Sequence, residues 1–117
     1  MNCYYFSVFD MKVKDIPRQE DALKWLIKAS ADLGLLVLSY TQMTFPAPVS
    51  GNAYTLAAIL AESHAIVHTA PESSWVEVIF ALCKEVPKGK ILEKVTEFWS
   101  PEVVKVSSFI GSIPEVS

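Results

Sequence analysis

Cysteine and basic residues are scarce in this 117-residue chain, and long apolar runs are missing. The two cysteines, Cys3 and Cys83, have no C-x-x-C spacing, so we expect free thiols and neither a disulfide framework nor a thiolate zinc site. No apolar stretch approaches the roughly 20 residues that cross a bilayer, so we expect no membrane partner. Ten Lys and Arg against thirteen Asp and Glu give a net charge of −3 without a basic cluster. A nucleic-acid partner is therefore not expected.

What the sequence does have is a composition typical of a folded globular protein, with 51% hydrophobic and 20% charged residues. That balance lies far from the profile of disordered chains. A chain of this length predicts one domain over residues 1–117, with a single core. The first residues carry no basic segment followed by an apolar run and a cleavage site, so we expect a cytoplasmic protein.

Patterns for strands and helices alternate along the first half of the chain. Aromatic and β-branched residues at 4–9 predict a strand. Apolar positions three and four apart then predict an amphipathic helix that begins after Pro17 and ends at a left-handed cap at Gly34. Residues 35–42 predict a buried strand, and a loop that contains Pro46, Pro48, Gly51 and Asn52 follows.

The second half begins with a conflict between local preference and context. Residues 56–62 are rich in Ala and Leu and favour a helix by intrinsic propensity. We predict a strand there instead, because the next segment, residues 65–69, is β-branched and ends at Pro71. In residues 75–83 the alternating pattern directs one set of side chains toward helices and the other toward a site or a partner. The helix-facing set is Val76, Val78, Phe80 and Leu82.

A second amphipathic helix is predicted after Pro87 and Gly89, since its apolar residues again follow the helical period. Ser100-Pro101 ends it, and residues 103–110 predict a last strand. This element order suggests two βαβ-like halves. The predicted fold class is α+β, a two-layer sandwich in which an antiparallel-rich sheet packs against two helices.

The densest cluster of reactive side chains is AESHAIVHTAPE, residues 61–72. His64 and His68, with Glu62, could chelate zinc on a helix, but on a strand the histidines lie about 13 Å apart, too far for one ion. Ser63 with a histidine base could form a hydrolase site, but the Gly-x-Ser-x-Gly elbow is missing. Both histidines could instead be hydrogen-bonded structural residues. The β-branched residues favour the strand, so we predict no metal.

This string, with Thr55 eight positions before Ser63 and Cys83 twenty after it, resembles the prokaryotic S-adenosylmethionine decarboxylase family. Members of that family are small proenzymes that cut themselves before a serine and convert it to a pyruvoyl group. The resemblance implies a pyruvoyl cofactor derived from Ser63, with no external cofactor. It also implies a small-molecule substrate and a homodimer of cleaved protomers with the sites near the interface.

The resemblance also implies how the chain is cut. The Ser63 hydroxyl attacks the carbonyl carbon of Glu62, and the ester that forms is then eliminated. His68 carries protons in this processing, and Thr55 steadies the cyclic intermediate. Because Ser63 and His68 are an odd number of residues apart, they lie on opposite faces of an unbroken strand. We therefore expect a bend near Ser63, or a histidine that acts across strands.

For turnover, the resemblance implies a Schiff base between the pyruvoyl group and the substrate amine, which accepts the electrons released with carbon dioxide. Cys83 is then the proton donor, and a thiol is mostly protonated at neutral pH. Glu72 accepts hydrogen bonds from the ribose, and Phe45 or Trp75 supplies a stacking surface.

Two departures from the family pattern concern the substrate pocket. Ala70 stands where the family usually has Trp, and EVIFALCKE, residues 77–85, replaces a DVFTCG-like string. A shifted specificity, toward arginine or ornithine, is therefore an alternative. An uncut paralogue that acts as a binding module is another.

Overall fold

A computed structural model describes residues 3–46 and 53–112. Within these residues the chain forms six strands and two α-helices. In chain order they are β1 (Cys3–Lys12), α1 (Gln19–Asp32), β2 (Val37–Phe45), β3 (Ala53–Leu60), β4 (Ser63–Ala70), β5 (Trp75–Leu82), α2 (Lys88–Trp99) and β6 (Val103–Ser112). A single 3-10 turn, Pro71–Ser73, joins β4 to β5.

The six strands form one sheet in the order β2-β3-β4-β5-β1-β6, and every neighbouring pair is antiparallel. The α+β sandwich predicted from the sequence is therefore confirmed. The expectation of two βαβ-like halves needs a correction. Both helices do connect strands that point the same way, but β1 lies between β5 and β6, and three strands separate β1 from β2. Each parallel pair is split by antiparallel strands.

Both helices cover the same face of the sheet. On α1 the buried residues are Ala22, Leu26, Ala29 and Ser30, and on α2 they are Ile91, Val95 and Trp99. Gly34 follows α1 with a φ of 79°, which is the left-handed cap that the sequence predicts. Trp25 of α1 stacks on Phe98 of α2, with ring centroids 5.4 Å apart, and this contact joins the two helices.

The strands contribute alternate side chains to this core. The fully buried ones include Phe9, Met11, Tyr54, Leu56, Ala58, Ala65, Val67, Val76, Val78, Phe80 and Leu82. The predicted alternation in β5 is thus confirmed, with Val76, Val78, Phe80 and Leu82 facing the helices. Residues 53–60 form a strand despite their Ala and Leu content, because β3 pairs with a strand on each side and buries one face.

The prediction of a buried second strand is wrong. β2 is an edge strand with almost wholly exposed side chains, including Leu38 at 62% and Tyr40 at 52%. Its apolar run favours a strand but does not determine the strand's place in the sheet, and an edge strand has a neighbour on one side only. In the loop predicted after β2, Pro48, Gly51 and Asn52 lie outside the described residues.

The face of the sheet opposite the helices, here called the open face, carries the other set of side chains. Across its centre runs an apolar row in which Ala57, Ile66, Ile79 and Val8 are successive cross-strand partners. No helix covers this row in the described part of the chain. Among the described helices, none is both long and apolar enough to span a membrane.

Candidate active site

The reactive segment lies at a tight hairpin between β3 and β4. Leu60 pairs with Ser63, so Ala61 and Glu62 form a two-residue turn. Glu62 has a φ of 59°, in the left-handed region that favours glycine. Such a conformation costs a residue with a side chain about 1–3 kcal/mol. The chain therefore turns at Glu62, before β4 begins, and not within the strand that carries Ser63 and His68.

Cys83 holds both sides of the peptide bond between Glu62 and Ser63. Its backbone N–H donates to Ser63 Oγ over 2.9 Å. Its thiol donates to the carbonyl oxygen of Glu62. A donor on that carbonyl oxygen polarises the carbonyl carbon next to the serine hydroxyl. Glu62, Ser63 and Cys83, which the sequence singles out, are thus brought together by the structure.

Tyr4 joins this group although the sequence gives no signal for it. Tyr5 pairs with Leu82, which places Tyr4 beside Cys83 on the open face. Hydrogen bonding with the Cys83 side chain is the main factor that raises the pKa of the Tyr4 phenol. Negative charge on Cys83, burial and the Glu62 carboxylate raise it further. Only the pairing of β1 with β5, which is not readable from sequence, reveals this contact. Tyr4, Glu62, Ser63 and Cys83 are called the cleavage group below.

Thr55 and His68 form a second group. They are directly opposite each other in the β3–β4 pairing, and Thr55 Oγ1 lies 2.7 Å from His68 Nδ1. When Nδ1–H donates to Thr55, Nε2 carries the lone pair that can accept a proton. The rings of Phe45 and Trp75 flank the imidazole edge-on, with centroids 6.4 and 5.8 Å away. These four residues are called the histidine group.

The structure does not bring the two groups together within one chain. Ser63 and His68 lie five residues apart on β4, which is unbroken. That separation is about 16 Å along the strand. The odd spacing also places them on opposite faces, as the sequence predicts. Because the turn at Glu62 precedes β4, it does not bring His68 to Ser63 within one copy, and the alternative of a histidine that acts across strands stays a prediction.

The remaining predicted site residue, Glu72, is exposed in the 3-10 turn that follows β4, at the end of the strand where His68 lies. Trp75 pairs directly with Ala70, so an aromatic ring stands beside the position that lacks one. In residues 3–46 and 53–112, no group of three or more His, Cys, Asp or Glu could hold a metal ion.

Two cavities are relevant to this region. The larger, of about 480 Å³, lies between the β1–β6 edge and the segment before α2 and is lined by no residue of either group. A smaller one, of about 230 Å³, is lined by Glu62, Ser63 and Cys83. Of these two, the smaller cavity therefore adjoins the cleavage group, and a further cavity of about 360 Å³ is lined by Trp75 of the histidine group.

Strain at Glu62 is testable by substitution with glycine. In a Ser63→Ala background, which removes the hydroxyl, Glu62→Gly should raise the free energy of unfolding by about 1 kcal/mol because it relieves the left-handed conformation. Ala61 has a negative φ, so glycine relieves no strain there. Ala61→Gly in the same background should therefore lower the free energy of unfolding by about 0.5–1 kcal/mol through backbone entropy alone. Urea denaturation measures both. Losses of equal size in the two variants would show that Glu62 is unstrained.

Comparison with known proteins gives a match to one family model and matches to solved structures. The model of the family described as S-adenosylmethionine decarboxylase matches residues 3–110. The crystal structure of the adenosylmethionine decarboxylase from Aquifex aeolicus is similar with a TM-score of 0.72. That match covers 99% of this chain and 93% of that chain at 19% sequence identity, which supports a shared fold. No curated protein sequence gives a match. Because the family model spans nearly the whole sequence, the chain belongs to the S-adenosylmethionine decarboxylase family.

Proposed function

We propose that the chain is a pyruvoyl-dependent decarboxylase of S-adenosylmethionine that serves polyamine (spermidine) biosynthesis. In this proposal it forms by self-cleavage between Glu62 and Ser63. One observation carries the proposal: in a chain of this family, Cys83 directs two hydrogen-bond donors at the Glu62–Ser63 junction. If Ser63 had only a structural role in the hairpin, the hydrogen bond to its own hydroxyl would satisfy it, and a second donor on the Glu62 carbonyl would not be required.

The first step is attack of Ser63 Oγ on the carbonyl carbon of Glu62. Negative charge then develops on the Glu62 oxygen, where the Cys83 thiol already donates. The hydroxyl proton goes to a base and finally to the Ser63 nitrogen, so that the peptide bond becomes an ester. Holding the hydroxyl beside the carbonyl raises its effective concentration by orders of magnitude, and the left-handed turn at Glu62 raises the energy of the uncut state.

The base comes, in this proposal, from a second copy of the chain. His68 lies about 16 Å from Ser63 in its own copy, but it faces outward from the open face. Two open faces packed together would bury the apolar row through Ile66 and Ile79. A twofold axis perpendicular to the strands would then place the histidine group of one copy over the cleavage group of the other. Cys83, itself an open-face side chain, reaches the Glu62 carbonyl from that side.

Turnover uses the same side chains in new roles. When residue 63 is a pyruvoyl group, that group supplies a carbonyl that accepts the electrons released with carbon dioxide. In this proposal Cys83 protonates the substrate carbon, and the hydrogen bond with the Tyr4 hydroxyl supports an orienting role for Tyr4. Trp75 and Phe45 offer flat apolar surface for the adenine, with Trp75 opposite Ala70. Glu72 is exposed and can accept hydrogen bonds from ribose hydroxyls.

Substitution at the junction tests cleavage and turnover separately. Ser63→Ala should leave the chain at full length on denaturing electrophoresis, because the attacking oxygen is gone. Cys83→Ala should still be cut, at a lower rate for lack of the thiol donor, and should lose most of its decarboxylation. Val86→Ala is a control outside both groups and should behave like the unchanged chain.

Normal cutting of Ser63→Ala would contradict the cofactor assignment. An unchanged chain that stays at full length after long incubation would favour an uncut binding module.

Mixing two inactive variants tests whether the site is shared between copies. Ser63→Ala and His68→Ala chains, each uncut alone, are unfolded together and refolded as mixed dimers. The His68→Ala copies should then be cut, because the partner's His68 lies over their Glu62–Ser63 bond. Size tags distinguish the two chains on a gel. If neither chain in the mixture is cut although mixed dimers form, His68 acts within its own copy and the shared site is wrong.

The substrate is tested by carbon dioxide release from labelled S-adenosylmethionine, arginine and ornithine in parallel. We expect turnover of S-adenosylmethionine, and a several-fold larger KM for Trp75→Ala with a smaller effect on kcat, because stacking on one aromatic ring contributes about 0.5–1.5 kcal/mol. Tyr40→Ala, an exposed aromatic residue on the edge strand β2 and outside both groups, is the control. If carbon dioxide is released from arginine or ornithine and not from S-adenosylmethionine, the proposed substrate is wrong and the alternative based on Ala70 is supported.

A further inference from the structure

Lys84, which follows the Cys83 of the cleavage group, stands in the cavity beside the scissile bond. The cavity of about 230 Å³ lies between the turn after α1 and the β3–β4 hairpin, and it is lined by residues 34–36, 61–63, 83 and 84. The Lys84 ammonium donates to the backbone oxygen of Gly34 over 2.8 Å. This lysine falls in residues 77–85, one of the segments that depart from the family pattern.

The Lys84 ammonium sets the positive charge in this cavity. Among the eight lining residues, all in the described part of the chain, Lys84 is the one that carries a positive charge. An ammonium has three donors, and Gly34 takes one. The hairpin turn is held against the same wall, since the Ala61 N–H donates to the Leu36 oxygen over 2.9 Å. A negative charge that appears on Glu62 therefore arises inside a cavity with one cation.

Self-cleavage, on which this inference rests, creates such a charge in its second step. After the acyl shift, the Glu62 carbonyl is esterified to Ser63 Oγ. A base removes the α proton of residue 63, the Cβ–Oγ bond breaks, and the electrons form the double bond of dehydroalanine. Glu62 leaves as an α-carboxylate, and water later converts the dehydroalanine to the pyruvoyl group with loss of ammonia.

We propose that the Lys84 ammonium receives the carboxylate that leaves Glu62, which speeds the elimination and holds the new chain end in place. Cys83 polarises the same carbonyl in the first step, where the charge lies on the former carbonyl oxygen. Lys84 stabilises the charge of the leaving group in the second. The two donors thus serve successive steps at one carbon.

If Lys84 only connected the hairpin to the end of α1, its substitution would have a different effect. Loss of the Gly34 contact would loosen the turn and slow the acyl shift, so that uncut amide would accumulate. Loss of a carboxylate receptor slows the elimination, so that ester accumulates. Ester and amide have the same mass, but neutral hydroxylamine cleaves the ester alone.

The test therefore follows cutting of the full chain in timed samples from cell-free synthesis, each split with and without hydroxylamine. Lys84→Met should convert to the pyruvoyl fragment about tenfold more slowly, less than the loss of a buried oxyanion donor because the site is exposed. Full-length Lys84→Met should be split at residue 63 by hydroxylamine. Lys84→Arg should stay near the unchanged rate, and Lys90→Met, an exposed lysine of α2, should match the unchanged chain.

Two results would overturn the proposed role of Lys84 without affecting the proposed function. The first is an unchanged rate in Lys84→Met, and the second is slow cutting in which the full-length chain resists hydroxylamine. In both, the unchanged chain still cuts itself, so the proposed function survives. If the unchanged chain neither splits nor becomes sensitive to hydroxylamine, the proposed function fails and this inference fails with it.

Discussion

The pairing register of β3, β4 and β5 is the constraint on which the rest of the site depends. It places Thr55 opposite His68 and closes the β3–β4 hairpin in a two-residue turn. It also sets His64 opposite Ala81, which brings Cys83 level with the Glu62–Ser63 bond. A slip of one residue would turn every one of these side chains to the other face. The core prevents that slip, because Leu56, Val67 and Val78 must remain under the helices.

The same register divides the chemistry into two groups about 16 Å apart. The cleavage group has a serine hydroxyl and two donors from Cys83 at the Glu62–Ser63 bond, and the histidine group has an imidazole between two aromatic rings. Helices on one face leave the other open, so that a second sheet can cover it. The proposed site shared by two copies would account for the presence of both groups in one chain, about 16 Å apart, since each group would then complete the site of the other copy.

Much of the fold was predictable because its signals are local. The period of α1 and α2, the cap at Gly34 and the alternation in β5 all follow from nearby residues. The edge position of β2 and the contact of Tyr4 with Cys83 were not, since both depend on which strands become neighbours. In the site, the grouping of Glu62, Ser63 and Cys83 came from a motif resemblance. The distance from Ser63 to His68 required only strand geometry, whereas the two donors of Cys83 required the structure.

In the proposed enzyme, residue 63 of the active protein is a ketone made from its own serine. This ketone can be detected by treating the native, unmutated protein with a carbonyl reagent such as phenylhydrazine and analysing the fragments by mass spectrometry. We expect one adduct per chain, located at the first residue of the fragment that begins at position 63, with loss of activity in proportion to labelling. An active protein that carries an intact Glu62–Ser63 bond and takes up no reagent would contradict it.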